Sequence, residues 1–348
     1  MSLKVLSVVG ARPQFVKAAA VSRSIAGRDD MTEVLVHTGQ HRDPELSDVF
    51  FAELRIRKPD HHLNISGGTH GDMTGRMLVA VERVMIEEKP DVVLVYGDTN
   101  STLAGALAAA KLLYPIAHVE SGLRSFNKSM PEEINRVVTD HVSELLFCPT
   151  EAAVENLRNE GIVDHVHLVG DVMYDAALYA AGRPDARSDV LKRLGLEKRA
   201  YAVATVHRAA NTDTREALSR VLDWLGEAAR EQIVVMPLHP RTRKAAERFG
   251  LSFEGLRIVA PLGYFDMAAL VGGAQAVFTD SGGLQKEAYF HHKRCVTLRD
   301  ETEWVETIAC GWNRLWTESE YRPQKNIDEY GDGRAAERLL DCLAAHFP

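Results

Sequence analysis

A regular alternation of short apolar runs and longer helical runs constrains the fold of this chain more than any other feature. Each apolar run is rich in β-branched residues and has the length of a buried strand. Strands and helices that alternate in this way build βαβ units and parallel sheets. The predicted strands fall into two series: Lys4–Gly10, Val34–Thr38, Asp91–Asp98, Pro115–Glu120 and Glu144–Pro149, then Tyr201–His207, Gln232–His239, Leu256–Leu262, Ala276–Asp280 and Arg294–Arg299.

Two series of strands predict two domains. The length of 348 residues also suits two domains, each large enough to bury a core. A stretch of glycine, proline and charged residues, Gly182–Ser188, interrupts the alternation and is suited to a linker. We therefore expect an α/β fold with two doubly wound Rossmann-like domains, 1–175 and 176–333, and we expect the amphipathic run 334–347 to pack back on the first domain.

Composition disfavours several classes of protein. The chain has 41 basic and 49 acidic residues, whereas a generic nucleic-acid binder needs a basic face. Its four cysteines are scattered singly, which is typical of a reducing compartment. We see neither a leader-like start nor an apolar run of about 18 residues. The sequence therefore predicts a cytoplasmic protein with no nucleic-acid or membrane partner.

Two kinds of cofactor are also disfavoured. The adjacent pairs His61-His62 and His291-His292 do not share a helix face, so they are poor metal ligands. The Gly-x-Gly-x-x-Gly motif of dinucleotide-binding domains does not follow the first strand. We expect neither a bound metal ion nor a nicotinamide cofactor.

Polar residues that follow the strands of the first series are the first candidates for function, because open parallel sheets bind ligands beyond the carboxyl ends of their strands. Arg12 and Lys17 flank a predicted helix N-terminus, which favours anions. Asp98, Glu120 and Glu132 are predicted at or beyond the same sheet edge, where grouped carboxylates can divide general-acid and general-base roles. Singly, these residues also fit a basic surface loop, an N-cap or a helix-dipole partner. The three carboxylates together favour function.

The second series delivers basic residues to its sheet edge. One strand ends at His207-Arg208 and the next at His239, which Arg241 follows. Arginine forks and histidine donors suit a diphosphate. A single histidine on a strand is usually a satisfied core group, so the recurrence carries more weight than either copy.

A glycine-rich turn, Ser281-Gly282-Gly283, joins the fourth strand of that series to a helix. Glycines allow close backbone approach, and the helix N-terminus supplies N–H donors to an anion. Glu287 follows about one turn later and could hold ribose hydroxyls. The arrangement predicts a nucleotide-diphosphate site in the second domain.

Taken in order, these motifs resemble the non-hydrolysing UDP-N-acetylglucosamine 2-epimerase family. The resemblance runs through nearly the whole chain, to about Leu315. It rests on Gly10–Lys17, Thr38–His41, Gly97–Thr99, His118–Arg124, Pro131–Arg136, His207-Arg208, Ser281–Glu287 and Arg299–Glu306. Gln14, Trp304 and the run 67–71 look more like the branch that acts on UDP-2,3-diacetamido-2,3-dideoxyglucuronate, whose product serves bacterial surface polysaccharide.

The resemblance implies a GT-B fold, with two domains that face each other across a cleft, and a homodimer. It implies inversion of carbon 2 of a UDP-N-acetylhexosamine, through elimination of UDP to a 2-acetamidoglucal and re-addition, without a cofactor. By matched motif, Asp98, Glu120 and Glu132 are the candidate acid/base groups. His207 looks like a diphosphate contact that assists the leaving group.

The same resemblance implies the substrate contacts. Arg12 and Lys17 would stabilise charge on the departing UDP, with Arg208 and His239 as further candidates. Ser281, Gly282 and Gly283 would hold phosphate, and Glu287 would bind ribose. Candidates for sugar contacts are Arg136, Arg299 and Glu303. The alternatives are a GT-B UDP-sugar glycosyltransferase, a hydrolysing 2-epimerase and a non-catalytic nucleotide-sugar sensor.

Overall fold

The strands of the chain form two separate parallel sheets in the computed structural model, which describes residues 2–40, 53–54, 56–182, 188–198 and 200–347. The chain divides into two compact units, Met1–Gly182 with Asp328–Pro348, and Arg183–Ile327. The sequence-based boundaries fall seven residues before the first junction and six after the second. Positions 183–187 of the predicted linker, and His41, lie outside the described residues.

The first unit contains a seven-stranded parallel sheet of order β3-β2-β1-β4-β5-β6-β7. Its strands are β1 (Leu3–Val9), β2 (Met31–His37), β3 (His61–His62), β4 (Val92–Tyr96), β5 (Ile116–Val119), β6 (Leu145–Cys148) and β7 (Val166–Leu168). The helices between them are α1 (Arg12–Ala26), α2 (His70–Glu88), α3 (Asn100–Leu112), α4 (Pro131–Val142), α5 (Glu151–Asn159) and α6 (Val172–Ala181).

The second unit contains a six-stranded parallel sheet of order β10-β9-β8-β11-β12-β13. Its strands are β8 (Tyr201–Thr205), β9 (Ile233–Pro237), β10 (Arg257–Val259), β11 (Ala276–Thr279), β12 (Arg294–Thr297) and β13 (Asn313–Leu315). Its helices are α7 (Val190–Arg193), α8 (Ala209–Thr212), α9 (Arg215–Glu231), α10 (Pro240–Phe249), α11 (Tyr264–Gly273), α12 (Gly282–Phe290) and α13 (Val305–Ala309). A short 3₁₀ turn, Asp328–Tyr330, and α14 (Ala335–His346) then return to the first unit.

All ten predicted strands are present, most of them one to three residues shorter than predicted. The prediction of two doubly wound parallel sheets is therefore confirmed. Sequence reasoning missed β3, β7 and β13, which have only two or three residues each and carry no apolar run.

The core of the first unit explains why the central strands are so apolar. Val8 and Val95 are fully buried between helices on the two faces of the sheet. Helix α3 lies close to these two valines. A methyl group added at Gly105 of this helix would lie 3.2 Å from a side-chain atom of each. The alanine-rich sequence of α3 provides the small residues that this approach requires.

Helix α14 belongs to the first unit although the second unit precedes it in the chain. It packs against α1 and α6 through Leu339, Leu340 and Leu343, which are fully buried. Its first turn is fixed by Asp175 of α6, which accepts hydrogen bonds from the N–H groups of Ala335 at 3.1 Å and Ala336 at 2.7 Å. A side chain from one helix thus caps the N-terminus of another.

We predict that Asp175→Ala lowers the free energy of unfolding by about 1–3 kcal/mol, because two buried N–H groups lose their acceptor. Urea denaturation followed by circular dichroism would measure the change. The matched control is Asp332→Ala, which removes an exposed carboxylate that is 2.9 Å from Arg338 in the same region. Equal stability of the two variants would contradict the capping role of Asp175.

Candidate active site

The loops at the carboxyl edge of the first sheet are held together at Gly10, directly after β1. A methyl group added there would lie 2.0 Å from Thr38 Oγ1 and 2.1 Å from Ser101 Oγ, so only glycine fits. The two hydroxyl groups hydrogen-bond to each other at 2.8 Å. Gln40 accepts from the Ser101 hydroxyl at 2.7 Å. The ends of β1 and β2 and the start of α3 therefore form one polar cluster.

Gln14 locks the loop after β1 to the loop after β4. Its buried side-chain oxygen accepts from the N–H groups of Gly10 at 2.8 Å and Ala11 at 3.0 Å. Its amide nitrogen donates to Tyr96 O and to Thr102 Oγ1, both at 2.9 Å. An ionised glutamate has no proton to donate, so it could not make the last two bonds.

Lys17 and Glu120 form an ion pair at this edge. Lys17 comes from α1 and Glu120 follows β5, and both side chains are almost entirely buried. A methyl group added at Gly97 would lie 3.0 Å from Lys17 Nζ and 3.3 Å from Glu120 Oε1, so the turn after β4 passes directly over the pair. Glu120 has a φ of 68°, a strained conformation for a non-glycine residue that is often found at functional sites.

A second cation, Arg136 of α4, holds Asp98. The guanidinium of Arg136 is buried and donates to Asp98 Oδ2 and, at 2.8 Å, to Glu133 Oε2. Asn135 donates to the backbone oxygen of Asp98 at 2.9 Å. The Asp98 side chain is still 27% exposed. The carboxylate is therefore fixed in orientation and partly accessible.

The neighbouring residues Glu132 and Glu133 have different environments. Glu133 is buried and accepts hydrogen bonds from the backbone of Ser125 and Phe126 at 2.9 Å each, which anchors the loop before α4. Glu132 is partly exposed and lies one helical turn before Arg136, so the two share a face of α4. The contacts of Glu133 are those of a structural residue. Glu132 lies on the same face of α4 as Arg136, which binds Asp98.

Beneath these groups lies a buried polar chain that sequence reasoning did not identify. His118 of β5 has Nδ1 2.7 Å from Asp140 Oδ1 and Nε2 2.7 Å from the backbone oxygen of Gly97. Asp140 also accepts from Arg124 at 2.7 Å. Burial alone would raise the pKa of Asp140, but the charges of His118 and Arg124 outweigh it and hold that pKa below its ordinary value. The signal available in the sequence was the histidine two positions before Glu120.

In the second unit, Asp280 organises the loop that carries His207 and Arg208. Asp280 follows β11, is fully buried, and accepts from the backbone N–H groups of His207 at 3.0 Å and Arg208 at 2.9 Å. Its Oδ1 atom also lies 3.5 Å from His207 Nδ1. Asp280 thus fixes the backbone that carries His207 and lies next to its imidazole ring. Our candidate residues did not include Asp280, although its place at a strand end was visible.

The histidines from adjacent strand ends lie side by side. The ring centroids of His207 and His239 are 5.1 Å apart. His239 Nδ1 accepts from the N–H of Arg241 at 3.1 Å, so its proton is on Nε2. Two neighbouring imidazoles of this kind can together supply hydrogen bonds to an anion.

The glycine-rich turn begins α12 beside a buried ion pair. A methyl group added at Gly282 would lie 2.5 Å from Glu303 Oε1 and 3.1 Å from Trp304 Nε1, so glycine is required there. The other oxygen of Glu303 accepts from Arg299 at 2.9 Å, and both side chains are buried. Ser281 caps the helix by accepting from Leu284 N at 3.4 Å. The result is a compact helix N-terminus of the kind that binds phosphate.

The remaining candidate residues lie at the same sheet edges. Arg12 is the first residue of α1 and is partly buried. Gly283 and Glu287 lie in the first two turns of α12, also partly buried. The structure thus brings the predicted basic and glycine-rich groups of the second unit to one edge. It also pairs the carboxylates Asp98 and Glu120 of the first unit with cations.

Two further observations apply to the described residues. No three histidine, cysteine, aspartate or glutamate side chains in these ranges converge as a metal ion would require. No described helix has both the length and the apolar composition of a membrane span.

Known proteins are similar to this chain in sequence and in fold. Residues 23–344 match the family model described as UDP-N-acetylglucosamine 2-epimerase. The UDP-2,3-diacetamido-2,3-dideoxy-D-glucuronate 2-epimerase of Pseudomonas aeruginosa is 49% identical, with 98% of this chain and 99% of that protein covered. A UDP-N-acetylglucosamine 2-epimerase homolog of Methanococcus maripaludis is 46% identical over the same shares of the two chains.

Solved structures agree with the sequence relatives. The Methanocaldococcus jannaschii UDP-GlcNAc 2-epimerase in complex with UDP-GlcNAc and UDP superposes with a TM-score of 0.90 at 37% identity, covering 99% of this chain and all of that chain. The Neisseria meningitidis enzyme bound to UDP-GlcNAc gives 0.86 at 27% identity, covering 99% of this chain and 100% of that one. The expected GT-B-type α/β fold and the family resemblance are confirmed. The chain belongs to the UDP-N-acetylglucosamine 2-epimerase family, whose members are isomerases of UDP-sugars.

Proposed function

We propose that this protein inverts carbon 2 of a UDP-N-acetylhexosamine by eliminating UDP and adding it back. The observation that carries the proposal is a pair of carboxylates, Asp98 and Glu120, each joined to a buried cation at the carboxyl edge of one parallel sheet. Proton removal and return at carbon 2 need groups of this kind, held in fixed orientation.

The chemistry follows from the weak acidity of the hydrogen on carbon 2, which no neighbouring ketone activates. In the proposed elimination, a carboxylate takes this proton as the bond between carbon 1 and the UDP oxygen breaks, and a double bond forms between carbons 1 and 2. In the reverse step the UDP oxygen bonds to carbon 1 and a proton is delivered to the opposite face of carbon 2. Asp98, Glu120 and Glu132 are the proposed proton carriers, and Arg136 and Lys17 orient the first two.

The leaving UDP must be stabilised and retained until it adds back. His207 and His239 supply neighbouring imidazoles, and Arg208 follows directly after the first of them. Ser281, Gly282 and Gly283 provide the N-terminus of α12, and Glu287 is the proposed ribose contact. Arg12 and Lys17 are the proposed partners for the negative charge that develops on the diphosphate. Asp280 acts through His207, whose backbone it fixes.

We propose UDP-2,3-diacetamido-2,3-dideoxyglucuronate as the preferred sugar nucleotide and surface-polysaccharide precursor synthesis as the role. The support is the 49% identity to the Pseudomonas enzyme that bears that name, together with the resemblance of the motifs around Gln14 and Trp304 to that branch. Arg136, Arg299 and Glu303 are the proposed sugar contacts. All three are buried in ion pairs, so we expect each ion pair as a whole, and not a single side chain, to contact the sugar.

We further propose that the protein works in the cytoplasm as a homodimer. The four cysteines are scattered singly along the chain, which suits a reducing compartment. An apolar surface supports the dimer. Ile86 of α2 is 54% exposed, and Val79, two helical turns earlier, is 47% exposed. Leu113 is 89% exposed. The hydroxyl of Tyr114 donates to Met85 O at 3.4 Å, which joins the segment that carries Leu113 to the end of α2 that carries Ile86.

The first test is hydrogen exchange at carbon 2. In D₂O we expect the enzyme to place deuterium at carbon 2 of either UDP-sugar, because each turnover returns a solvent-derived proton. Proton NMR of the recovered nucleotide sugars measures this. We expect kcat/KM to be at least about tenfold higher for the diacetamido-uronate than for UDP-N-acetylglucosamine.

Three outcomes would contradict the proposal: no deuterium with either sugar, accumulation of UDP with free sugar, or turnover only when an acceptor is added. The second and third would indicate a hydrolysing enzyme and a glycosyltransferase, respectively.

The second test is substitution of the carboxylates. Asp98→Asn and Glu132→Gln should each lower kcat by about 10²–10⁴-fold and leave UDP affinity nearly unchanged, because the amide cannot carry the proton. Steady-state kinetics and UDP calorimetry measure the two quantities. Glu155→Gln, at an exposed carboxylate on α5, is the control and should behave as wild type. Near-wild-type turnover in both site variants would contradict the assignment of Asp98 and Glu132 as proton carriers.

The third test concerns assembly. Light scattering should give a mass twice the 38.5 kDa of the chain, and Ile86→Glu with Leu113→Glu should convert the protein to monomers, because two charges would be buried in the proposed interface. Val163→Glu introduces a charge at another apolar residue, 63% exposed, and should leave the dimer intact. A monomeric wild type, or a dimeric double variant, would overturn the proposed surface.

A further inference from the structure

His70, the first residue of α2, is an exposed histidine that has no role in the reaction proposed above. It belongs to the run 67–71, Gly-Gly-Thr-His-Gly. Its Nδ1 atom lies 3.2 Å from Nδ2 of Asn100, a buried residue two positions after Asp98. The imidazole therefore lies at the carboxyl edge of the first sheet, beside the loop that carries Asp98.

A directed chain of hydrogen bonds joins Asp98 to His70. The backbone oxygen of Asp98 can only accept, so the Asn135 atom 2.9 Å away from it is the amide nitrogen. The same nitrogen donates to Asn100 at 3.2 Å, so the Asn100 atom at that point is the amide oxygen. The amide nitrogen of Asn100 is thereby directed at His70. Neither amide can be turned round without placing two donors or two acceptors against each other.

This chain fixes the tautomer of the His70 ring. Nδ1 accepts a hydrogen bond from Asn100, so Nδ1 carries no hydrogen and the hydrogen of the ring is on Nε2. Within the part of the chain that the structure describes, Nε2 has no hydrogen-bond acceptor. The exposed imidazole thus offers one N–H donor to a ligand at this sheet edge.

The location of the donor indicates which part of the sugar it would meet. In the proposed reaction Asp98 is a proton carrier for carbon 2, so the substituents of carbon 2 and of its neighbour carbon 3 come close to this loop. Carbon 3 carries an acetamido group in UDP-2,3-diacetamido-2,3-dideoxyglucuronate and a hydroxyl group in UDP-N-acetylglucosamine. The carbonyl oxygen of the acetamido group is a strong acceptor, and it lies two bonds farther from the ring than the hydroxyl oxygen.

We propose that His70 is a specificity-determining residue whose Nε2–H group donates a hydrogen bond to the acetamido carbonyl oxygen on carbon 3 of the sugar. The inference rests on the proposed function for the location of the sugar, and it assigns one protein group to one substituent. The carbon 3 hydroxyl group of UDP-N-acetylglucosamine ends two bonds short of that oxygen and leaves the donor unused. His70 therefore favours a sugar with acetamido groups on both carbons.

Matched variants at His70 separate the donor from the bulk of the ring. Glutamine places its amide nitrogen near the position of Nε2, whereas asparagine places it near that of Nδ1. His70→Gln therefore keeps the donor, and His70→Asn and His70→Ala lose it. His141→Ala is the control, because it removes another exposed histidine of the same unit, near the end of α4.

Three nucleotide sugars separate the substituents. UDP-N-acetylglucosamine lacks the carbon 3 acetamido group, the diacetamido-uronate has it, and UDP-2,3-diacetamido-2,3-dideoxyglucose has it without the carboxylate. Calorimetry gives the Kd of each sugar and of UDP. We expect His70→Ala and His70→Asn to bind both diacetamido sugars about tenfold more weakly, with the Kd of UDP and of UDP-N-acetylglucosamine changed by less than about twofold. His70→Gln should stay within about threefold of wild type for every ligand, and His141→Ala should match it.

Other patterns would overturn the proposal. An equal loss with all three sugars would indicate a contact to the acetamido group on carbon 2, and a loss confined to the uronate would indicate a contact to the carboxylate. Weaker binding of UDP itself would indicate a structural role. Unchanged affinities in His70→Ala would exclude any contact. Wild-type protein that binds UDP-2,3-diacetamido-2,3-dideoxyglucose no more tightly than UDP-N-acetylglucosamine would contradict the proposal without any variant.

Binding needs no turnover, so this test and that of the proposed function fail separately. If the wild type shows no exchange at carbon 2, the proposed reaction is wrong, and a selective loss of the diacetamido sugars in His70→Ala still stands. If exchange occurs and His70→Ala binds all ligands as wild type does, the reaction stands and the assignment of His70 is wrong.

Discussion

Pairing with a cation is what allows carboxylates to sit at the buried end of the first sheet. Breaking such a pair by removing one partner typically costs about 3–5 kcal/mol, because the other charge is left buried without compensation. Lys17 with Glu120, and Arg136 with Asp98 and Glu133, satisfy this requirement. The groups that we propose for proton transfer are therefore part of the stability of the unit as well as of its chemistry.

The two units use the same local solution for different purposes. In each, a buried aspartate near the carboxyl edge of the sheet bonds to a histidine: Asp140 to His118 and Asp280 to His207. His118 is fully buried and has both ring nitrogens engaged inside the protein, whereas the His207 side chain is 32% exposed. The first arrangement fixes backbone, and the second contacts a side chain that we propose as a diphosphate ligand.

The sequence was sufficient for the longer strands and for the sheet edge at which each candidate residue lies, and insufficient for the contacts between those residues. Strands with buried, β-branched residues were found because their pattern is local, while β3, β7 and β13 are too short to have one. Asp98 and Glu120 were found because strand ends in parallel sheets gather at one edge. Their partners were not, because Lys17 is 103 residues from Glu120 and Arg136 is 38 residues from Asp98. Contacts between residues so far apart in the sequence depend on tertiary packing, which a single sequence does not reveal.

The return of α14 to the first unit has a consequence for how the protein is made. The surface on α1 and α6 that receives Leu339, Leu340 and Leu343 is synthesised early, whereas its cover is synthesised after the whole second unit. During translation this apolar surface stays open to solvent for the time needed to add about 150 residues, which is about 8–30 seconds at ordinary rates of about 5–20 residues per second. Until then the nascent first unit exposes an apolar surface that the complete chain buries.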